Sequence, residues 1–157
     1  TEAEGDVIDS IVKADGLGED ALKIKMGGSK YPIRDEIPNK ADVCLAMDGQ
    51  AVYNCAVRVN TEMLKELLER NNISFDDVKW VIPHQANYRI IKAAARRLKL
   101  DENKFYMNLA DYGNTSAASI GLALNEIYEK GEIKRGDYII TMGFGAGLTY
   151  AANLIKY

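Results

Sequence analysis

His84 is the only histidine in the chain, and it stands where a short β-prone apolar run, Trp80-Val81-Ile82, ends at Pro83. The segment from Tyr88 to Leu98 has helical periodicity, so His84 and Asn87 are expected on a strand-to-helix turn. A second polar turn, Gly113-Asn114-Thr115-Ser116, leads into another helical segment. A neutral imidazole offers one ring N–H and an asparagine offers amide donors. Two such donors aimed at one carbonyl oxygen stabilise an enolate or other oxyanion in a site sheltered from water. If the enolate arises by loss of carbon dioxide, as from a malonyl thioester, no catalytic base is needed. That agrees with the scarcity of acidic and basic residues around both turns. Each residue also has a plainer explanation: a lone histidine is more often structural than catalytic, and Gly-Asn-Thr is satisfactory turn chemistry by itself.

A third feature is the glycine turn Gly143-Phe144-Gly145-Ala146-Gly147. Its backbone N–H groups could form a second oxyanion site and admit an extended ligand closely, or the turn could simply close a hairpin. It fits neither the Walker pattern nor a dinucleotide-binding glycine pattern. The helix from Tyr88 to Leu98 puts Ile91, Ala94, Ala95 and Leu98 on one face and Arg89, Lys92, Arg96 and Arg97 largely on others. Such a positive strip is either a solvated face or a docking site whose charge steers an acidic partner. Cys44 and Cys55 lie in apolar surroundings and are expected as buried thiols, with neither disulfide nor zinc spacing. With one histidine, a nitrogen- and sulfur-ligated metal is not expected.

The elements that must hold these residues follow from periodicity. Val7 to Val12 reads as a first strand, followed by an irregular stretch over about 13–48. Residues 13–42 of it carry four glycines and two prolines. From Gln50 the apolar positions Val52, Ala56, Val59, Met63 and Leu67 step by three and four along one helix face ending near Asn71-Asn72, with Thr61 an alternative start for its second half. Ser74-Phe75-Asp76-Asp77 resembles a capping turn before a strand over Lys79 to Pro83. Phe105-Tyr106-Met107 is expected as a third strand. Thr115 to Glu129 is expected as a helix capped by Thr115 or Ser116 and stopped at Gly131. Tyr138 to Met142 is a fourth strand, and Leu148 to Lys156 runs back antiparallel. The order β-α-β-α-β-α-β-β implies an α/β fold with right-handed crossovers and a mostly parallel sheet with an antiparallel edge strand. Ligands then bind near the carboxyl ends of the strands, where His84, Asn114 and the glycine turn fall.

At 157 residues and 47% hydrophobic content the chain suits one domain. A net charge of -3 argues against a general nucleic-acid binder. No apolar run is long enough for a membrane span, and the acidic start is unlike a signal peptide, so a soluble cytoplasmic protein is expected.

Taken together and in order, His84-Gln85-Ala86-Asn87, Gly113-Asn114-Thr115-Ser116-Ala117-Ala118-Ser119 and Gly143-Phe144-Gly145-Ala146-Gly147 resemble the β-ketoacyl-acyl carrier protein synthase III family. The likeness extends more loosely back through Met47-Asp48-Gly49-Gln50-Ala51-Val52-Tyr53. It covers nearly the whole chain, but as the carboxyl-terminal half of such an enzyme. The family's fold is thiolase-like, two similar halves packed together, so the chain is expected to be a single carboxyl-terminal thiolase-like domain over residues 1–157 without its amino-terminal half. Ala146 stands where the family often has glycine.

The resemblance implies that His84 and Asn114 are two members of a Cys-His-Asn triad that condenses an acyl-CoA primer, acetyl-CoA the expected one, with malonyl-acyl carrier protein to begin fatty acid synthesis. The nucleophilic cysteine belongs to the family's amino-terminal half, so the chain alone is expected to be inactive. It further implies that Asn87, Gly49 and Tyr53 line the pantetheine channel, that Phe144, Gly145 and Ala146 meet substrate, and that Arg89, Arg96 and Arg97 contact acyl carrier protein. Acyl-CoA and malonyl-carrier protein are substrates, no cofactor is implied, and the intact enzyme is a homodimer in this family. Three alternatives stay open: a relative making polyketides or signal molecules, a non-catalytic carrier-protein-binding domain, and a thiol hydrolase using Cys55, His84 and Asn114.

Overall fold

The computed structural model describes residues 5–34, 37 and 39–157. A four-stranded mixed sheet holds β1 (Asp6–Ala14), β4 (Val78–Pro83), β5 (Tyr138–Gly145) and β6 (Thr149–Lys156), in the spatial order β1-β6-β5-β4. A separate two-stranded ribbon pairs β2 (Leu22–Ile24) with β3 (Leu45–Met47). The helices are α1 (Gly49–Asn71), α2 (Tyr88–Leu98), α3 (Leu109–Tyr112) and α4 (Ala118–Glu129).

β4 and β5 are parallel, while β6 is antiparallel to both β5 and β1. The α/β class holds, and three of the four strands, β1, β4 and β5, point the same way, but the antiparallel strand lies inside the sheet rather than at its edge, so only the β4–β5 pairing is parallel. The short turn after Gly145 returns β6 beside β5, and β1 then pairs with the side of β6 that remains open. The expected strand at Phe105-Tyr106-Met107 shrinks to one parallel bridge, Val81 to Phe105, closed by the Tyr106 N–H donating to the Val81 carbonyl at 2.8 Å. The stretch expected to be irregular includes β2, β3 and two short 3-10 turns among its described residues.

Helices cover both faces of the sheet, which is why β4 and β5 read as continuous apolar runs rather than alternating ones. Val81 and Ile140 point into a core with Val59, Met63, Leu67 and Ile91 from α1 and α2. Their neighbours Ile82 and Ile139 point the other way, onto Ala123 and Ile127 of α4. The five apolar positions read from Val52 to Leu67 are all buried. α1 runs unbroken through Thr61, whose hydroxyl donates to the Val57 carbonyl at 2.7 Å instead of starting a new helix. The Asp48 carboxylate caps α1 by accepting from the N–H groups of Gln50 and Ala51, and the Ser74 turn is a full capping box.

Both cysteines depart from expectation: Cys44 is exposed and Cys55 only half-buried. Cys44 lies between a 3-10 turn and the exposed β3 strand. Among the described residues, no helix is long and apolar enough to cross a membrane.

Candidate active site

His84 directly follows β4, and its N–H donates to the Met142 carbonyl of β5 at 2.7 Å, extending the parallel ladder one step. The sheet therefore fixes the backbone that carries the ring. Gln85, 1% exposed, anchors the turn from below. Its Nε2 donates to the carbonyls of Pro83 at 2.8 Å and Tyr106 at 3.1 Å, and its Oε1 accepts from the Asn108 N–H at 3.2 Å. Asn87 then starts α2, its Oδ1 accepting from the Arg89 N–H at 2.8 Å.

The imidazole is held from two sides. Its Nδ1 lies 2.6 Å from the hydroxyl of Ser119 in the first turn of α4, and Phe144 of β5 meets it edge-on with ring centroids 5.7 Å apart. Burial lowers the His84 pKa below the ordinary imidazole value, because desolvation disfavours the charged ring. No charged side chain contributes to that shift. Near neutral pH the ring is accordingly uncharged, with one N–H.

Asn114 sits on an exposed turn, where its Oδ1 accepts from the Ser116 N–H at 3.0 Å. That bond orients the amide: with the oxygen engaged, the NH₂ side is the end left to bind a ligand. Neither Thr115 nor Ser116 caps α4 as expected. The cap position is Ala117, with no side-chain bond, because Ser116 takes a left-handed conformation, φ 54°, that turns the chain into the helix.

His84, Ser116, Ala117, Ile120, Gly143, Phe144 and Gly145 line a concavity of about 340 Å³. A Cβ at Gly143 would stand in ordinary contact with this wall, 3.5 Å from Ile120 Cδ1 and 3.9 Å from His84 Cβ. A neighbouring hollow of about 610 Å³ shares Ile120, Gly143, Phe144 and Gly145 and continues past Ala14, Tyr150 and Asn153. The glycine segment is thus mostly strand: Gly143-Phe144-Gly145 ends β5 and only Ala146-Gly147-Leu148 turns. Ala146 is not among the residues of positive φ, whereas Gly147 has φ 133°. Alanine fits position 146 without backbone strain.

The structure thus gathers His84, Phe144 and Gly145 on one wall; Asn114 does not itself line the concavity but lies two residues before Ser116, which does. Ala146 is exposed just beyond, and Asn87, Gly49 and Tyr53 do not line this concavity. Gly49 opens α1 and Tyr53 is half-buried one turn later. Cys55 faces a different hollow, with Asp15, Asp48 and Arg58, its Sγ 3.7 Å from Arg58 Nη2. This removes the geometry a Cys55-His84-Asn114 hydrolase requires. Arg89, Arg96 and Arg97 are all exposed. Among the described residues they have no acidic partner within 4.0 Å, whereas Lys92 pairs with Glu102 at 3.3 Å. Ser119 is the residue the sequence reading missed. Its signal was a lone hydroxyl in an Ala-rich first helical turn, five residues after Asn114.

The model of the family described as 3-oxoacyl-(acyl-carrier-protein) synthase III C terminal matches residues 68–157. A β-ketoacyl-(acyl-carrier-protein) synthase III of Clostridium beijerinckii is 47% identical over 156 residues, 99% of this chain and 48% of that protein. Its counterpart in Caldanaerobacter subterraneus subsp. tengcongensis is 48% identical over 151 residues, 96% of this chain and 46% of that protein. The crystal structure of 3-oxoacyl-(acyl-carrier-protein) synthase III from Aquifex aeolicus VF5 superposes with a TM-score of 0.84 at 36% identity, covering 100% of this chain and 46% of that one. The chain spans about half the length of the curated relatives it matches. It belongs to the 3-oxoacyl-(acyl-carrier-protein) synthase III family, as the carboxyl-terminal half of such a protein.

Proposed function

We propose that this chain supplies the malonyl-activating half of a β-ketoacyl-acyl carrier protein synthase III, a cytoplasmic enzyme that condenses acetyl-CoA or another acyl-CoA primer with malonyl-acyl carrier protein. The observation that carries the reading is a neutral His84 ring on a concave wall, with Nδ1 engaged by Ser119 and Nε2 without a protein partner among the described residues. In the reaction the bond between the malonyl C2 and its carboxylate breaks and carbon dioxide leaves. The electron pair passes into the thioester as an enolate. His84 Nε2–H and the Asn114 amide donate to the enolate oxygen, and stabilising that charge requires no base. The enolate carbon then attacks an acyl thioester on a cysteine of the amino-terminal half, forming the new C–C bond and expelling the thiolate.

Substrate arrives tethered to an acidic carrier, and the unpaired Arg89, Arg96 and Arg97 offer the positive surface that would steer it. Exposed apolar residues at the chain's surface, such as Val12 at 80% and Leu45 at 65%, agree with further protein covering them. We assign that cover to the amino-terminal half and to a homodimer partner. No cofactor enters this scheme.

The deciding measurement is malonyl-carrier protein decarboxylation by the full-length protein. His84→Ala should lower its rate by about 10² to 10³, the usual cost of one oxyanion donor, with the carrier KM rising with ionic strength in both proteins. An unchanged rate removes His84 from the chemistry. Carrier binding without decarboxylation in the unsubstituted protein would favour a non-catalytic docking domain.

A further inference from the structure

We infer that Ser119 is a positioning residue: its hydroxyl donates to His84 Nδ1 and so fixes the imidazole as the Nε2–H tautomer, a hydrogen-bond donor toward the concavity. The inference deepens the functional reading above and rests on it. Ser119 is 1% exposed, so its hydroxyl must be satisfied by protein. Among the described residues two groups touch its oxygen, the Gln85 N–H at 3.2 Å and His84 Nδ1 at 2.6 Å. The backbone N–H can only donate. The serine proton is then available to one acceptor, and the lone pair of an unprotonated Nδ1 is the acceptor at hand.

The opposite tautomer, with Nδ1–H donating to serine, leaves the serine proton buried without an acceptor. Leaving a buried hydroxyl unsatisfied disfavours that arrangement by about tenfold or more. The ladder bond from His84 N–H to Met142 fixes the backbone, and the edge contact with Phe144 holds the ring on its other side. Ser119 therefore selects the proton's position on a ring that it and Phe144 hold together. The same logic applies on the neighbouring turn, where the Ser116 N–H holds Asn114 Oδ1 and leaves the amide protons outward. Both oxygen-binding groups are preset as donors by a hydrogen bond on their far side.

The test uses the full-length protein with ¹⁵N-labelled histidine rings. His84 is identified by the signals that vanish in His84→Gln, and malonyl decarboxylation is followed in parallel. In the unsubstituted protein the expected spectrum is a neutral ring with pyridine-type Nδ1 and pyrrole-type Nε2. A pyrrole-type Nδ1 overturns the inference without any Ser119 variant. Ser119→Ala should give a mixture of both tautomers and lower decarboxylation about tenfold with little change in carrier KM. Ser119→Thr, which keeps the hydroxyl, should retain the original tautomer. An unchanged tautomer in Ser119→Ala, or a changed tautomer at full rate, overturns the assignment. If His84→Gln itself decarboxylates normally, the functional reading fails instead, and the tautomer result stands apart from it.

Discussion

The two turns that hold His84 and Asn114 lie side by side but are built by opposite means. The His84 turn is tertiary. Its backbone continues a parallel ladder, Gln85 beneath it ties Pro83, Tyr106 and Asn108 together, and the ring leans on residues from α4 and β5. The Asn114 turn is local, exposed, and given one bond by its own side chain, to a residue two positions later. A tertiary turn is rigid but fails as a unit when a buried partner is lost. A local turn tolerates change in everything except the group that does the work.

The largest expected effect separates these two designs in the Asn114 turn. Asn114→Asp keeps the oxygen that accepts from Ser116 N–H but replaces the amide donor with a second oxygen, so repulsion meets the enolate where donation is needed. In the full-length protein decarboxylation should fall by about 10² to 10³, while the unfolding free energy from urea titration stays within about 0.5 kcal/mol of the parent. A large loss of stability would mean that the turn is held by more than its local bond.

The difference also explains what the sequence could announce. The parallel β4–β5 core, α1 and α2 were legible because their apolar spacing is a local property, and Val52 to Leu67 are buried as that spacing requires. His84 was legible as a singular residue at a strand end. What was not legible depends on partners distant in sequence. β1 pairs with β6 across nearly the whole chain, which puts the antiparallel strand inside the sheet. Phe105 makes a single parallel bridge, to Val81 on the outer edge of β4, the terminal strand of the sheet. Ser119 reads as a helix residue until the fold brings it to His84. The capping expected of Thr115 or Ser116 failed for a local reason instead: Ser116 turns left-handed, and the cap position falls on Ala117.

A second prediction reverses the first and belongs to the His84 turn. Gln85→Leu keeps the volume but leaves the Pro83 and Tyr106 carbonyls and the Asn108 N–H without their side-chain partner. Each unsatisfied buried group costs on the order of 1 kcal/mol or more, so a total loss of about 3 kcal/mol is expected. Chemical denaturation of the full-length protein reads this directly. A loss under about 1 kcal/mol would show that water replaces the glutamine amide and that the turn is less closed than its 1% exposure implies.

The smallest effect is the one only His84 can produce, because asparagine does not titrate. Burial holds the folded-state pKa of His84 below the ordinary value of about 6.5, so below that pH the unfolded chain takes up a proton that the folded ring resists. The unfolded state then binds more protons, and stability rises with pH across that window. The contribution is fully present above about 6.5 and is lost as pH falls from there toward the depressed folded-state value. Urea midpoints of the full-length protein measured from about pH 7.5 down to about pH 5 should therefore fall more steeply for the parent than for His84→Gln. Asn114→Asp adds a carboxylate whose own titration lies lower, near about 4, and should leave this part of the parent curve intact. Equal slopes for the parent and His84→Gln would mean that the ring is solvated in the folded state. The tertiary turn would then hold the backbone of His84 without desolvating the imidazole it carries.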